Sequence, residues 1–282
     1  SRRLGAFEIV DGKLFLREEK GQLDVSPVRD LLLLVEAFRV AQTERVMLSE
    51  ELRRTIREHA PAIGQILRQR AEARRLFLQI LGHRGEVARI LRLMHETGVL
   101  GRFLPEFGRL TFLVQHDPDH AYTVDEHTFQ ALEALDRIWQ NPADAQAARL
   151  RQVFSEVTDA VPLYLGLLFH DLGKGRGHNH VPRSVRLARR AIRRLGLGPL
   201  QQQTVLFLVA RHLLMSHLAW RRDVTEEGII AELVAALGEG NQLERLNMLL
   251  LLTYADTAGV GPSVWTQWKG LLLWELYERA RR

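Results

Sequence analysis

Six histidine and aspartate side chains have the types and the order of a metal site. They are His127, His170, Asp171, His180, His212 and Asp256. Imidazole nitrogens and carboxylate oxygens bind divalent cations, and one carboxylate can bridge two ions through its two oxygens. The set predicts one or two divalent ions per site, with Mn, Mg, Fe, Co and Ni not distinguishable from the sequence.

The pair His170-Asp171 is the centre of this set. It follows an apolar segment, residues 161–169, that reads as a buried helix. A His-Asp dipeptide is common by chance, but polar side chains at a buried helix end need partners. Asp256 has the same need, because it lies in the otherwise apolar segment 241–258. A cation or a hydrogen-bond donor would satisfy these groups.

Charged residues of the glycine-rich turn after Asp171 could contact a substrate. Lys174 is one of only four lysines and lies one helical turn past Asp171, where it could meet a phosphate oxygen. The alternative is a solvated loop lysine. Arg176 and His178 could also face a substrate, although solvated loop residues are an equal alternative.

His120 and Asp125, which precede His127 in the chain, are candidates for orienting its imidazole by a hydrogen bond to the ring nitrogen that does not bind the metal. They lie close to His127 in the chain, and such outer partners fix the ring of a metal-binding histidine. Asp125 could instead be a helix-start carboxylate, because residues 123–126 (TVDE) read as a capping box.

Composition excludes several classes of protein. The absence of cysteine removes disulfides, thiol nucleophiles and cysteine-bound zinc. Apolar runs such as residues 249–252 are far shorter than a membrane span, so no membrane association is expected. Of the 39 basic residues 35 are arginine, and the net charge of +5 is weak evidence for nucleic-acid binding.

The elements that must position these residues are helical almost throughout, so the sequence predicts an all-α fold. Asp11-Gly12 between short apolar runs predicts a β-hairpin over residues 6–17. Residues 143–157 read as helix or as a disordered excursion. The remaining helices are predicted over 27–42, 49–58, 60–69, 84–97, 123–139, 161–169, 184–195, 200–217, 225–238, 241–258 and 263–281.

Several long stretches resemble HD-domain phosphohydrolases. More narrowly, they are similar to the central domain of the bifunctional uridylyltransferase/uridylyl-removing enzymes, which act on the P-II nitrogen-regulatory protein. The stretches are HAYTVDEHT (120–128), LLFHDLGKGRGHNH (167–180), RHLLMSHLAWRRDVT (211–225), TYADTAGVGPSVWTQWKGLLLWELY (253–277) and the segment 76–110.

The resemblance implies a fold and a reaction. The fold would be an HD-domain helical bundle over residues 111–282, with a helical lead-in over 1–110. The reaction would be metal-dependent hydrolysis that removes UMP from a uridylylated tyrosine of P-II. Two alternatives stay open, which are a general HD-type nucleotide phosphohydrolase and a regulatory module with a residual HD site.

The resemblance also assigns roles to the residues. One ion would be held by His127, His170, Asp171 and Asp256. A second would be held by Asp171, His180 and His212. Asp171 would bridge the two and take part in catalysis. Lys174, from its position one turn past Asp171, is the second candidate catalytic residue.

The family's wider organisation leads to further expectations. The uridylylated P-II protein would be the partner, in the cytoplasm. Regulation by glutamine would act through sensor domains that this sequence lacks, so the chain is expected to be a piece of a longer enzyme.

The chain departs from the implied family pattern beside one predicted ligand. The pattern has an acidic residue before the position of His180 and a Gly-Ala pair four residues after it. Here Asn179 precedes it, and Ser184-Val185 follows. The second ion is the one that these departures concern.

Overall fold

The computed structural model describes residues 1–17, 28–113 and 122–282. Helices dominate these residues, which confirms the predicted all-α fold. In the described part of the chain, no helix combines the length and the apolar character needed to cross a membrane. The chain forms two compact units, an N-terminal unit (Ser1–Arg109 with Arg194–Gly196) and a C-terminal unit (Leu110–Arg193 with Leu197–Arg282).

The N-terminal unit combines a small sheet with helices. Its strands are β1 (Arg2–Leu4), β2 (Phe7–Val10), β3 (Lys13–Leu16) and β4 (Met47–Leu48). Its helices are α1 (Val28–Glu44), α2 (Glu50–Ala62), α3 (Ala71–Gly82), α4 (Val87–Glu96), α5 (Val99–Phe103) and α6 (Pro105–Gly108), with a π-helical turn at Ile63–Leu67.

The predicted hairpin is present. β2 and β3 pair antiparallel with Val10 opposite Lys13, so Asp11 and Gly12 form a two-residue turn. Both turn residues have positive φ, 49° and 75°, as the turn that matches strand twist requires. Strands β1 and β4 were not predicted. They pair with β2 and β3 and are too short to show an alternating pattern.

The C-terminal unit is built from helices. They are α7 (Val124–Gln140), α8 (Ala145–Glu156), α9 (Val161–Phe169), α10 (His180–Leu195), α11 (Pro199–Arg211), α12 (Leu214–Arg221), α13 (Glu227–Leu237), α14 (Gln242–Ala258) and α15 (Gln267–Arg281). The ambiguous segment 143–157 is therefore mainly helix.

Helix α9 is the core of this unit. All nine of its residues are buried, and it packs against α7, α11 and α14. A buried hydrogen bond of 2.6 Å, donated by the Tyr164 hydroxyl to Asp136, links α9 to α7. The end of α9 is thereby fixed among the helices that carry the other candidate ligands.

Several local predictions were wrong. The predicted helix 200–217 is two helices, because the chain breaks at His212 and Leu213. Helix α10 begins at His180 and not at residue 184. The capping box does not form, since Thr123 makes no capping hydrogen bond among the described residues and Glu126 accepts one from Gln130.

Candidate metal centre

Five elements of the C-terminal unit bring the six predicted side chains together. His127 lies in the first turn of α7, and Asp256 lies in the last turn of α14. The other four lie at helix ends, with His170 and Asp171 after α9, His180 at the start of α10 and His212 after α11.

Asp171 lies at the centre, and its two oxygens face different histidines. Oδ2 lies 3.2 Å from His170 Nε2 and 3.8 Å from His127 Nε2. Oδ1 lies 3.3 Å from His180 Nε2 and 4.0 Å from His212 Nε2. The arrangement forms two groups that could each hold an ion and that share this one carboxylate.

Asp256 closes the first group. Its Oδ1 atom lies 2.8 Å from His127 Nε2 and 3.1 Å from His170 Nε2. Two carboxylates and two imidazoles are therefore near one another, which is a donor set suited to a divalent transition metal.

Two of the histidines are oriented in the same way. Each directly follows a helix, and its Nδ1–H donates to a carbonyl of the last helical turn. His170 donates to Leu167 O over 2.6 Å, and His212 donates to Val209 O over 2.7 Å. Because this hydrogen bond places a proton on Nδ1, the neutral form of each ring would offer its Nε2 lone pair to a metal.

Two buried histidine nitrogens of the site lack a hydrogen-bond partner that a cation could replace. Nε2 of His170 and of His180 are buried near carboxylate oxygens, yet neither has a hydrogen bond of normal geometry within the described residues. Leaving such atoms unsatisfied costs about 1–3 kcal/mol each. A bound cation would give them the partner that they lack, so the residues fit the metal that the sequence predicts.

Opposite charges outweigh burial at the centre of the site. Burial works to lower the pKa of His170, but Asp171 and Asp256 raise that pKa well above its ordinary value. Burial works to raise the pKa of both carboxyls, but His170 holds each well below its ordinary value. The carboxylates of Asp171 and Asp256 are thus ionised, and positive charge nearby stabilises them.

His212 differs from His170. Burial, with the charge on His170 adding to it, lowers the pKa of His212 to about 4. Its ring is therefore neutral near pH 7, which is the form that binds a metal.

Lys174 is not a solvated loop lysine. Its side chain is only 10% exposed, and Nζ lies 2.8 Å from Asp171 Oδ2. Within the site the side chains of His180 and Asp256 are 22% and 20% exposed, whereas His127, His170 and His212 are almost fully buried. Solvent therefore reaches the centre past His180 and Asp256.

The other predicted residues lie further out. Arg176 and His178 are exposed, and Arg183 donates to the backbone carbonyls of the turn that carries them. Asp125 is buried and accepts a hydrogen bond of 3.3 Å from the Phe112 backbone. His120 lies outside the described residues.

Ser184, one of the departures from the implied family pattern, has a structural role that was not predicted from the sequence. Ser184 is fully buried, and its Oγ accepts a hydrogen bond of 2.9 Å from the Gly173 backbone N–H. The signal was present, since Ser184 shares the buried face of α10 with Ala188 and Ala191. Asn179 adopts positive φ, 61°, which asparagine tolerates better than most residues. Both departures thus shape the turn that leads from Asp171 to His180.

Replacing Ser184 by alanine is expected to destabilise the protein by about 1–3 kcal/mol, because the buried Gly173 N–H loses its acceptor. The measurement is the free energy of unfolding in urea. Ser155→Ala is the matched control, since the Ser155 hydroxyl is exposed and bonds within its own helix. Equal losses in the two variants would contradict the assigned role.

Two family models match segments of the chain. Residues 28–103 match the family model for the uridylyltransferase GlnD third domain. Residues 124–240 match the model for the HD domain. The second match contains five of the six site residues, while Asp256 lies beyond its end.

Curated relatives are similar over nearly the whole chain. The bifunctional uridylyltransferase/uridylyl-removing enzyme of Novosphingobium aromaticivorans is 39% identical, over 99% of this chain and 30% of its own length. The enzymes of the same name from Azospirillum brasilense and Rhodospirillum rubrum are 37% and 36% identical, over 96% and 99% of this chain and 28% and 29% of their own lengths. The chain thus spans about three tenths of the length of these relatives. With its third-domain and HD-domain segments, the chain belongs to the family of bifunctional uridylyltransferase/uridylyl-removing enzymes.

Proposed function

We propose that this chain hydrolyses a phosphodiester with the help of divalent metal ions, removing UMP from a uridylylated tyrosine of a P-II nitrogen-regulatory protein. The observation that carries the proposal is the division of the Asp171 oxygens between two groups of histidines. The similarity to enzymes named as uridylyl-removing supports the choice of reaction.

The distances support the proposed ligands. The first ion would be held by His127, His170, Asp171 and Asp256, and the second by Asp171, His180 and His212. We further infer that residues 111–282 form the hydrolytic domain and that residues 1–110 form its helical lead-in. All six proposed ligands lie in the C-terminal unit, which supports this division.

The reaction joins water to phosphorus and breaks the bond from phosphorus to the tyrosine oxygen. A bound divalent ion supplies an activated water and neutralises phosphate oxygens. The leaving group is a phenol with an ordinary pKa near 10, so it departs more readily than an aliphatic alcohol would.

The chain's own residues position the phosphodiester. The phosphate approaches past His180 and Asp256, which are the partly exposed members of the site. Lys174 already lies beside Asp171, so its ammonium can bind a non-bridging phosphate oxygen without a large movement. Fixed positive charge at that point stabilises the charge that develops as the bond breaks.

Metal removal tests the proposal. Chelation of the purified protein, checked by elemental analysis, is expected to abolish UMP release from uridylylated P-II. Addition of Mn²⁺ is expected to restore it. Hydrolysis that persists in the metal-free protein would contradict the proposal.

A panel of substrates separates the proposal from its alternatives. Faster hydrolysis of free nucleotides than of uridylylated P-II would identify a general nucleotide phosphohydrolase. Binding of P-II without any binding of metal would identify a regulatory module.

A further inference from the structure

A pocket of about 450 Å³ opens beside Asp256, in the C-terminal unit. One wall is α12, and the other is formed by the end of α14 and the segment that leads into α15. Its lining residues include Ser216, Trp220, Arg221, Val260, Val264 and Lys269. Because Asp256 also lines it, the pocket and the candidate metal centre share a residue.

Contacts among its own residues fix the shape of the pocket. The Trp220 indole N–H donates to the Lys269 carbonyl over 3.0 Å, and Lys269 Nζ donates to the Val264 carbonyl over 3.0 Å. The same ammonium lies 5.1 Å from the centre of the Trp220 ring. These contacts join α12 to the start of α15, so the walls are in place before a ligand arrives.

The lining has the chemistry of a site for an aromatic group that is attached to an anion. Trp220, Val260 and Val264 supply aromatic and aliphatic surface, while Arg221 and Lys269 supply positive charge. Among the described lining residues Asp256 alone is acidic, and it lies at the metal end. The volume falls within the range of about 300–1,000 Å³ that small-molecule sites occupy.

We propose that this pocket binds the nucleoside of the uridylyl group while the phosphate lies at the metal centre. The proposal rests on the proposed function. It assigns a binding site to the nucleoside, which is the part of the uridylyl group that the metal centre does not hold. A phosphate placed beside Asp256 leaves the attached ribose and base to extend along the wall that contains Trp220. The alternative occupant of the pocket is the part of the protein substrate around the modified tyrosine, and the test below distinguishes the two.

Calorimetric titration of the Mn²⁺-loaded protein with UMP tests the pocket without relying on hydrolysis. Trp220→Ala is expected to weaken UMP binding at least about 5-fold, the lower end for loss of one base–aromatic contact. Binding of inorganic phosphate is expected to stay unchanged. Trp268→Ala is the matched control, because Trp268 is 60% exposed and lies outside this lining, and it is expected to bind UMP as the unaltered protein does.

A second variant tests the same pocket if Trp220→Ala does not fold. Ser216 lines the pocket from α12 and is only partly buried, so Ser216→Phe would fill the space from one wall. It is expected to weaken UMP binding and to leave phosphate binding unchanged.

The outcomes separate the two proposals. Equal UMP binding by the unaltered protein, Trp220→Ala and Ser216→Phe would overturn the pocket, even if uridylylated P-II is hydrolysed. Such a result together with a raised KM for the protein substrate would place the tyrosine side there instead. UMP binding that depends on Trp220 in a protein that cannot hydrolyse uridylylated P-II would support the pocket and contradict the proposed function.

Discussion

Replacing Asp171 by asparagine is expected to lower UMP release by more than about 100-fold. Loss of an outer partner of a metal ligand already costs about 10–100-fold in affinity or activity, and Asp171 faces both groups directly. Asparagine keeps one oxygen and places an amide NH₂ at the other position. Either His170 or His180 would then face a donor where a shared carboxylate oxygen stood.

The measurement combines single-turnover hydrolysis with metal content. Elemental analysis of Asp171→Asn is expected to show fewer ions bound than in the unaltered protein. Asp223→Asn is the matched control, because Asp223 is exposed and bonds only locally to Thr225 in the described contacts. Full metal content and an unchanged rate in Asp171→Asn would show that the shared carboxylate does not hold the ions.

The order of the six site residues in the sequence predicted which side chains would meet. For His170, Asp171 and Asp256 this was possible because a buried helix or helix end cannot leave such polar side chains unsatisfied, whereas His127, His180 and His212 followed from the order of the set along the chain. His170 and Asp256 are the clearest cases, since each interrupts or follows a strongly apolar run. Helix type and approximate bounds followed from the same apolar patterns for most of the helices, but α3 was not predicted.

The sequence could not show whether the side chains form one metal-binding group or two. The division of the Asp171 oxygens depends on the packing of α7, α9, α10 and α11, which no local pattern encodes. The break at His212 was missed because residues 200–217 have helix-forming side chains throughout. That break matters, since it lets the His212 ring turn back to the last carbonyls of α11. Trp220 was missed as well, because its neighbours in the pocket come from distant parts of the chain.

Replacing Gly259 by alanine is expected to disturb the candidate centre from a distance of about one helical turn. A Cβ atom at this position would lie 2.7 Å from the backbone nitrogen and 2.8 Å from the Cα of Ala131. Ala131 is in α7 one turn after His127, and Gly259 follows α14 three residues after Asp256. Because the obstacle is backbone, no side chain can rotate away, and the two helices must separate.

The separation acts on the contact of 2.8 Å between His127 and Asp256. We expect Gly259→Ala to lower the free energy of unfolding by about 1–3 kcal/mol, as overpacking of a tight contact does. We also expect weaker binding of the ion proposed to lie between these two side chains. Urea denaturation and calorimetric titration with Mn²⁺ measure the two effects.

Gly228→Ala is the matched control for the same chemical change. Gly228 lies in α13, and a Cβ atom there would meet no heavy atom of the described residues within 4 Å. Alanine is the better helix former by about 1 kcal/mol, so this variant is expected to be as stable as the unaltered protein or more so. If Gly259→Ala resembled Gly228→Ala in stability and in metal binding, close packing of α7 on α14 would not be what holds His127 against Asp256. If the two variants diverge as expected, the glycine that ends α14 is part of the site although it contacts no ligand atom, because it sets the distance between two of the helices that carry them.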